Sequence, residues 1–423
     1  MVDDSRLPRT ISSDWIPKRI REGKIVRLKN AVIEGDLDLS KLSLPIQQSE
    51  RTKDKAYLGY ILKIIESPIK ISHSTIKNKL HFSNIFFNRY IIFDGTTFNE
   101  NVEFNGVTFG GPAWFDRATF FGDAQFYGAI FSKPTCFHKA IFGSWAWFDE
   151  AIFKETARFD GVTFNEGASF GEASFRKETN FDEATFRGFA RFDEATFIER
   201  VWFTKVNFAK QVLFFRSNFC KEARFDDVVS KGDILTFRDA IFIYANSQED
   251  ACRRAKNILS KAGNREEEEY HFYKEMEAKR KQRGIFNISS FKPKIFRTLR
   301  AENLSIIRRF LWYDVIENVF IQKMFGYGVH PIRLMISWGA IVLVFSFLYW
   351  NGNGLVGTTD WLDYFKVSFA TAIAPGYIAA IINPDSGGYR LVSAYQLVAM
   401  IETIIGTFLW AGFIATFAKK YMR

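Results

Sequence analysis

Residues 146–170 read AWFDEAIFKETARFDGVTFNEGASF, and the spacing of phenylalanine in this stretch decides the fold. Phe148, Phe153, Phe159, Phe164 and Phe170 follow at alternating steps of five and six residues. Extended in both directions, the alternation runs from Phe82 to Phe225 through 27 phenylalanines without a miss. Two positions before most of them stands a small residue: Ala113, Ala118, Ala124, Ala129, Ala140, Ala146, Ala151 and onward to Ala195. Ile76 and Ile71 keep the step upstream, and so does a separate block of Leu28, Ile33, Leu39 and Leu44. Between these blocks, roughly residues 45–68 break the pattern and read as an insertion. On a helix, steps of five and six residues rotate by about 140° and 240°, so the rings would fall on opposite sides. A strict two-residue alternation fails as well. A solenoid fits, in which each unit forms one side of a coil and sends one ring inward. The alanine two positions earlier shares that inward face, because side chains alternate in extended chain. Successive coils then stack at about 4.8 Å.

These Ala-x-Phe units resemble the pentapeptide repeat proteins, whose repeat centres on Leu or Phe with Ala two residues before it. The resemblance covers roughly residues 25–243. It implies a right-handed, quadrilateral β-helix. Here every second unit carries one extra residue, which implies about 22 residues per coil and a bulged corner. Residues 1–24 are expected to form an N-terminal segment or cap. They hold no apolar stretch of the signal-peptide kind.

After Tyr244 the phenylalanine pattern stops. Residues 245–284 predict a helical hairpin broken at Gly263–Asn264, which caps the open end of the solenoid as such folds require. Ala251, Ala255, Ile258 and Leu259 form one apolar face; Tyr270, Tyr273 and Met276 form another on the second helix.

The chain carries a net charge of +10, and its location matters more than its size. Ten basic residues face a single acid, Glu302, between residues 279 and 309. Lys292, Lys294, Arg297, Arg300, Arg308 and Arg309 belong to a basic segment spanning 285–330 and are expected to face anionic membrane lipid. Two apolar segments follow, Pro331–Trp350 and Leu391–Ala418, each long enough to cross about 30 Å of hydrocarbon. The basic run before the first and Lys419, Lys420 and Arg423 after the second predict a cytoplasmic side for both flanks, in a cell membrane. The N-terminal domain is then cytoplasmic. Three widely spaced cysteines, Cys136, Cys220 and Cys252, agree with a reducing compartment.

Between the spans, Thr359 or Asp360 opens a short helix over about 360–372, too short to span and read as re-entrant. Two spans with a half-helix between them look like the two-transmembrane potassium channel family. That family's filter stretch falls on Thr371, Ala372, Ile373, Ala374, Pro375, Gly376 and Tyr377; a shifted register would lay its Gly-Tyr on Gly376-Tyr377. Gly406 falls where its inner helix often carries a hinge glycine. The resemblance covers about 330–423 and implies a homotetrameric pore domain (331–423). Ala372, Ala374 and Pro375 depart from the family's filter, so potassium selectivity is not carried over. By helical turns, Ala399, Glu402, Gly406, Leu409 or Trp410, Phe413 and Phe417 share a face expected to line the pore. Glu402 either adds a carboxylate to that pore, or bonds a pore-helix or neighbouring Thr and orders the bundle. Phe413 or Phe417 would gate it.

The expected function is a cation channel, weakly selective among monovalent cations. The alternative is a non-conducting, membrane-anchored scaffold or protein-interaction module. The permeant ions aside, no cofactor or metal is expected, although Cys136 and His138 flank Phe137 on one outward side. No phosphate loop, triad or paired-acid motif is present, so no enzymatic activity is expected. Residues 71–242 hold 22 acids and 20 Lys or Arg, too balanced for a mimic of DNA, and no nucleic-acid partner is expected. A cytoplasmic protein partner of the β-helix remains an expectation of the repeat resemblance.

Overall fold

The computed structural model describes residues 9–48, 61–232, 234–283, 331–374 and 390–421. The chain divides into two compact units, Met1–Lys279 and Arg280–Arg423.

In the first unit the phenylalanine steps become the sides of a coil. From Ile91 to Ala223 each side is a two-residue strand, and most pair in parallel with the one 22 residues along, as Phe98 with Phe120 and Phe120 with Phe142. Among the described residues this builds four sheets, two of ten strands and two of nine. Main-chain hydrogen bonds tie coil to coil: Phe115 N–H donates to the Cys136 carbonyl at 2.7 Å.

The two step lengths make two kinds of corner. Across each five-residue step a tight turn closes, with Ala118 N–H donating to the Phe115 carbonyl at 3.1 Å. Its third residue takes a positive φ, 53° at Arg117, as a type II turn requires. The left-handed position returns every eleventh residue through Gly128, Lys139, Glu150, Gly161, Glu172 and Glu183. Glycine is absent from most of these corners, so each non-glycine one carries a cost of about 1–2 kcal/mol. The extra residue of the six-residue step sits in the other, wider corner.

All the ladder rings from Phe82 to Phe225 are buried, and so are the alanines two positions before them. Along each face the rings stack coil on coil, as Phe98 on Phe120 at 4.7 Å between centroids and 4° between planes. Between faces they meet edge to face, as Phe148 and Phe159 at 5.5 Å and 85°. Both geometries are favourable for aromatic quadrupoles. Where Thr replaces the small alanine, its buried hydroxyl finds a local carbonyl: Thr135 donates to Lys133 and Thr179 to Lys177.

The ladder begins earlier than the repeat reading placed it. Arg9–Ser12 pairs in parallel with Ala31–Glu34, and helix α1 (Trp15–Arg21) buries Ile16 and Ile20 in the same core. The interruption at 45–68 is also shorter. Ile61–Ile65 already pairs with Ile85–Phe87, and Leu62 and Ile65 are buried. Ile46–Gln48 runs antiparallel to that strand.

At the other end, α2 (Ala245–Lys261) and α3 (Arg265–Arg283) close the solenoid. Ala251, Ala255 and Leu259 extend the core. The remaining contacts satisfy edge amides of the last coil. Ser247 Oγ accepts from Ala223 N–H at 3.0 Å, His271 Nε2 from Phe237 at 2.9 Å, and Tyr270 Oη from Asp239 at 2.8 Å. The buried face of α3 is therefore His271, Glu275 and Ala278, whereas Tyr270, Tyr273 and Met276 are half-buried. The expected apolar face is displaced because the cap must present acceptors to an open sheet edge.

The second unit holds α4 (Pro331–Asn351), α5 (Trp361–Ile373) and α6 (Ser393–Tyr421), each packed against the other two. α4 and α6 are long and apolar enough to cross a membrane. Leu355–Val356 pairs antiparallel with Arg390–Leu391, joining the end of α4 to the start of α6.

Candidate functional site

The site is built around α5. Asp360 caps it, its carboxylate accepting from Leu362 N–H at 3.1 Å. Thr358 Oγ1 donates to Asp363 at 2.7 Å, fixing the entry. The helix ends where proline dictates: Ala374, just before Pro375, is extended at φ −118° and ψ 98°. Thr371 and Ala372 were expected at the end of this helix and at the start of the filter alike, and with Ile373 they form the last turn of α5. Nothing in those three residues breaks a helix. Thr371 Oγ1 donates to the Val367 carbonyl at 2.7 Å. Only Ala374 among the described filter residues has left the helix, and it is exposed. Pro375, Gly376 and Tyr377 lie outside the described residues, as do Lys292, Lys294, Arg297, Arg300, Arg308 and Arg309.

The end of α5 approaches α6 closely at Gly406. A Cβ at Gly406 would lie 2.7 Å from both Cα and O of Ala372. Glycine here lets two backbones touch, and α6 runs unbroken through it. Thr403 Oγ1 donates to the Thr371 carbonyl at 3.3 Å and to the Ala399 carbonyl at 2.9 Å, adding to the same contact.

One turn away, Glu402 is fully buried. Tyr349 of α4 donates its hydroxyl to Glu402 Oε2 at 2.5 Å, and Ser368 of α5 donates to Glu402 Oε1. Ser368 Oγ also lies 2.9 Å from the Val342 carbonyl. One carboxylate thus joins all three helices of its own chain. Of the two readings of Glu402, these contacts match the second, a bond to the short helix that orders the bundle: an acid among apolar helices needs donors, and two hydroxyls of the same chain supply them.

The rest of that face is covered in part by the same chain. Ala399, Gly406 and Leu409 are buried with Glu402, and Phe413 is half-buried, stacked on Trp410 at 5.5 Å. The helical stripe holds as a stripe, but it packs against α4 and α5. Phe417 at its end is exposed. The exposed face of α6 is the opposite one, with Leu397, Ile401, Ile404, Phe408 and Ile414. Sequence reasoning missed Ser368 and Tyr349. Hydroxyls stand on both helices, with Ser337, Ser346 and Tyr349 on α4 and Tyr364, Ser368 and Thr371 on α5, so sequence alone did not single out the two that reach Glu402.

On the solenoid, Cys136 Sγ–H donates to Asp116 Oδ1 at 2.8 Å and His138 Nδ1 lies 2.5 Å from Asp160 Oδ2. Burial, with the bond to Asp116, pushes the Cys136 thiol up to about 12. Cys136 and His138 thus have separate carboxylate partners. Among the described residues no three His, Cys, Asp or Glu side chains gather as a metal site.

Compared with known proteins, residues 82–218 match the family model of pentapeptide repeats (9 copies), in overlapping segments 82–130, 93–141, 126–174 and 170–218. No curated protein and no solved structure matches the chain. The matched segment coincides with the stacked phenylalanine ladder, so residues 82–218 are pentapeptide repeats, coiled as part of the β-solenoid of the N-terminal unit.

Proposed function

We propose that the chain is a cation channel, a homotetrameric two-span pore joined to a cytoplasmic pentapeptide-repeat solenoid. The observation that carries this reading is the end of α5 against Gly406, midway along α6. From its cap, the helix covers about 20 Å at 1.5 Å per residue, short of the roughly 30 Å hydrocarbon core. In a membrane it enters and stops inside, as a re-entrant pore helix does. Its C-terminus carries about half a negative charge, and four such ends around an axis favour cations.

Charge selection rests on these dipoles, since Glu402 is bonded within its own chain. The Glu402 cluster fixes α5 between the two spans and so aims it. The exposed face of α6, with Ile404 and Phe408, is the lining, and these apolar side chains make the constriction. Ala374 and Pro375 disfavour a ladder of closely spaced carbonyls. Ions then pass partly hydrated, with weak preference between sodium and potassium. The basic residues from Lys292 to Arg309 hold the cytoplasmic flank against anionic lipid.

The same filter substitutions favour a second reading, a non-conducting membrane-anchored scaffold. Planar bilayers containing the full chain separate the two. In a salt gradient the channel reading expects a reversal potential on the cation side, with sodium and potassium nearly equivalent. Anion-directed reversal contradicts the dipole argument, and strong potassium selectivity contradicts the filter argument. Silence that persists in Phe408→Ala and Ile404→Ala leaves the scaffold.

A further inference from the structure

We propose that the solenoid carries a binding site for a small aromatic anion, the size of a nucleoside monophosphate, in a groove on its outer surface near the N-terminal coils. The groove encloses about 470 Å³. That lies within the range of small-molecule sites, roughly 300–1,000 Å³.

Its chemistry is divided. At one end stand Lys29 and Lys70, on adjacent paired strands. Neither ammonium group has an anionic partner among the described residues. At the other end Trp114 presents its ring, 44% exposed, beside Ile92. Lys70, Ile92 and Trp114 occupy one register column on three successive strands. The lysine and the indole are therefore about 10 Å apart along the stacking direction, two strand spacings. That separation suits a ring stacked on Trp114 with its anionic group held by the two lysines.

The acids of the groove do not cancel this. Asp94 is paired with Arg117 at 2.8 Å, and Asp116, which accepts from the neutral Cys136 thiol, keeps its charge. Lys29, Lys70 and Arg117 against Asp94 and Asp116 leave the groove at +1.

The fold does not demand this composition. Farther along the same column stand Cys136, Arg158, Asn180, Trp202 and Arg224, so the outward position accepts any side chain. A large exposed indole beside two unpaired lysines is a local choice with no packing reason. Lysine ammonium groups favour a phosphate or carboxylate, and the indole face favours a planar ring. One ligand that carries both features uses the whole groove.

Adenosine monophosphate is the probe, titrated calorimetrically into the full chain in detergent, with adenosine and inorganic phosphate run separately. Saturable binding at one site per chain is expected, weaker for either fragment, and weakened by salt. Lys29→Gln with Lys70→Gln, and separately Trp114→Ala, should each reduce affinity about tenfold or more. All three residues are on the surface, so the thermal midpoint should not move. Absence of binding at millimolar nucleotide overturns the proposal. So does binding indifferent to these substitutions, or phosphate alone binding as tightly as the nucleotide.

Discussion

Replacing Phe159 by Ala tests the solenoid where its core is most regular. The ring is fully buried. It stacks on Phe137 at 5.1 Å and on Phe181 at 4.9 Å, one coil to each side. It meets Phe148, Phe153 and Phe170 edge to face at 5.5, 5.7 and 5.4 Å. Truncation removes all five ring contacts and leaves a cavity bounded by hydrogen-bonded coils that cannot collapse into it. Buried Phe→Ala changes cost about 3–5 kcal/mol, and here the upper end is expected. The loss should also be local, because solenoid stability is a sum of neighbouring-coil terms. Hydrogen exchange read by mass spectrometry on the full chain provides the assay. Protection should fall most in the coils carrying Phe137, Phe159 and Phe181, and far less near Phe93. The control is Glu178→Ala, an exposed residue whose nearest cation, on Arg200, is 3.9 Å away. It should cost less than about 1 kcal/mol. Equal effects at Phe159 and Glu178 would refute the inward ladder.

Three further predictions follow from particular residues. Glu183 sits at φ 59° and Gly161 at φ 66°, so Glu183→Gly should stabilise and Gly161→Ala destabilise the fold, each by about 0.5–1 kcal/mol, read as a rise and a fall of the thermal midpoint; the reverse order contradicts the strained corners. Burial holds the His271 pKa below its usual value, so the ring stays neutral in the fold while it accepts from Phe237. The unfolded chain binds the extra proton below about pH 6.5, so the stability of the cap should fall as pH drops through that value, and a His271→Gln variant should flatten the urea-midpoint profile. Cys136, with its thiol pushed up to about 12, should resist iodoacetamide at pH 8, and rapid alkylation there contradicts its burial and its bond to Asp116.

The solenoid was legible because its period is written in the residues themselves. A phenylalanine every five or six positions specifies both the inward face and the coil length, and the stacked rings at Phe98 and Phe120 follow directly. The insertion was overdrawn because Ile61–Ile65 carries no phenylalanine, although its apolar side chains take the same inward places. On α3, hydrophobicity pointed to Tyr270, Tyr273 and Met276, but an open sheet edge selects acceptors, and His271 supplied one. The three C-terminal helices were readable from length and apolarity, and α5 from its Asp360 cap. What α6 faces was not readable. A wheel places Ala399, Glu402 and Gly406 on one stripe, but a stripe carries no record of whether an axis, lipid or its own chain covers it. The pairing of Glu402 with Tyr349 and Ser368 joins residues 53 and 34 positions away, beyond any local pattern.

The most direct test of the pore reading is a cryo-electron microscopy reconstruction of the intact chain in lipid nanodiscs. The account predicts a fourfold axis with Ala374–Tyr377 around it, the C-termini of four α5 helices pointing inward, Ile404 and Phe408 on the axial side, and Glu402 turned away toward Ser368 and Tyr349. A monomer or dimer, or four chains with residues 374–377 folded away from any axis, would contradict it.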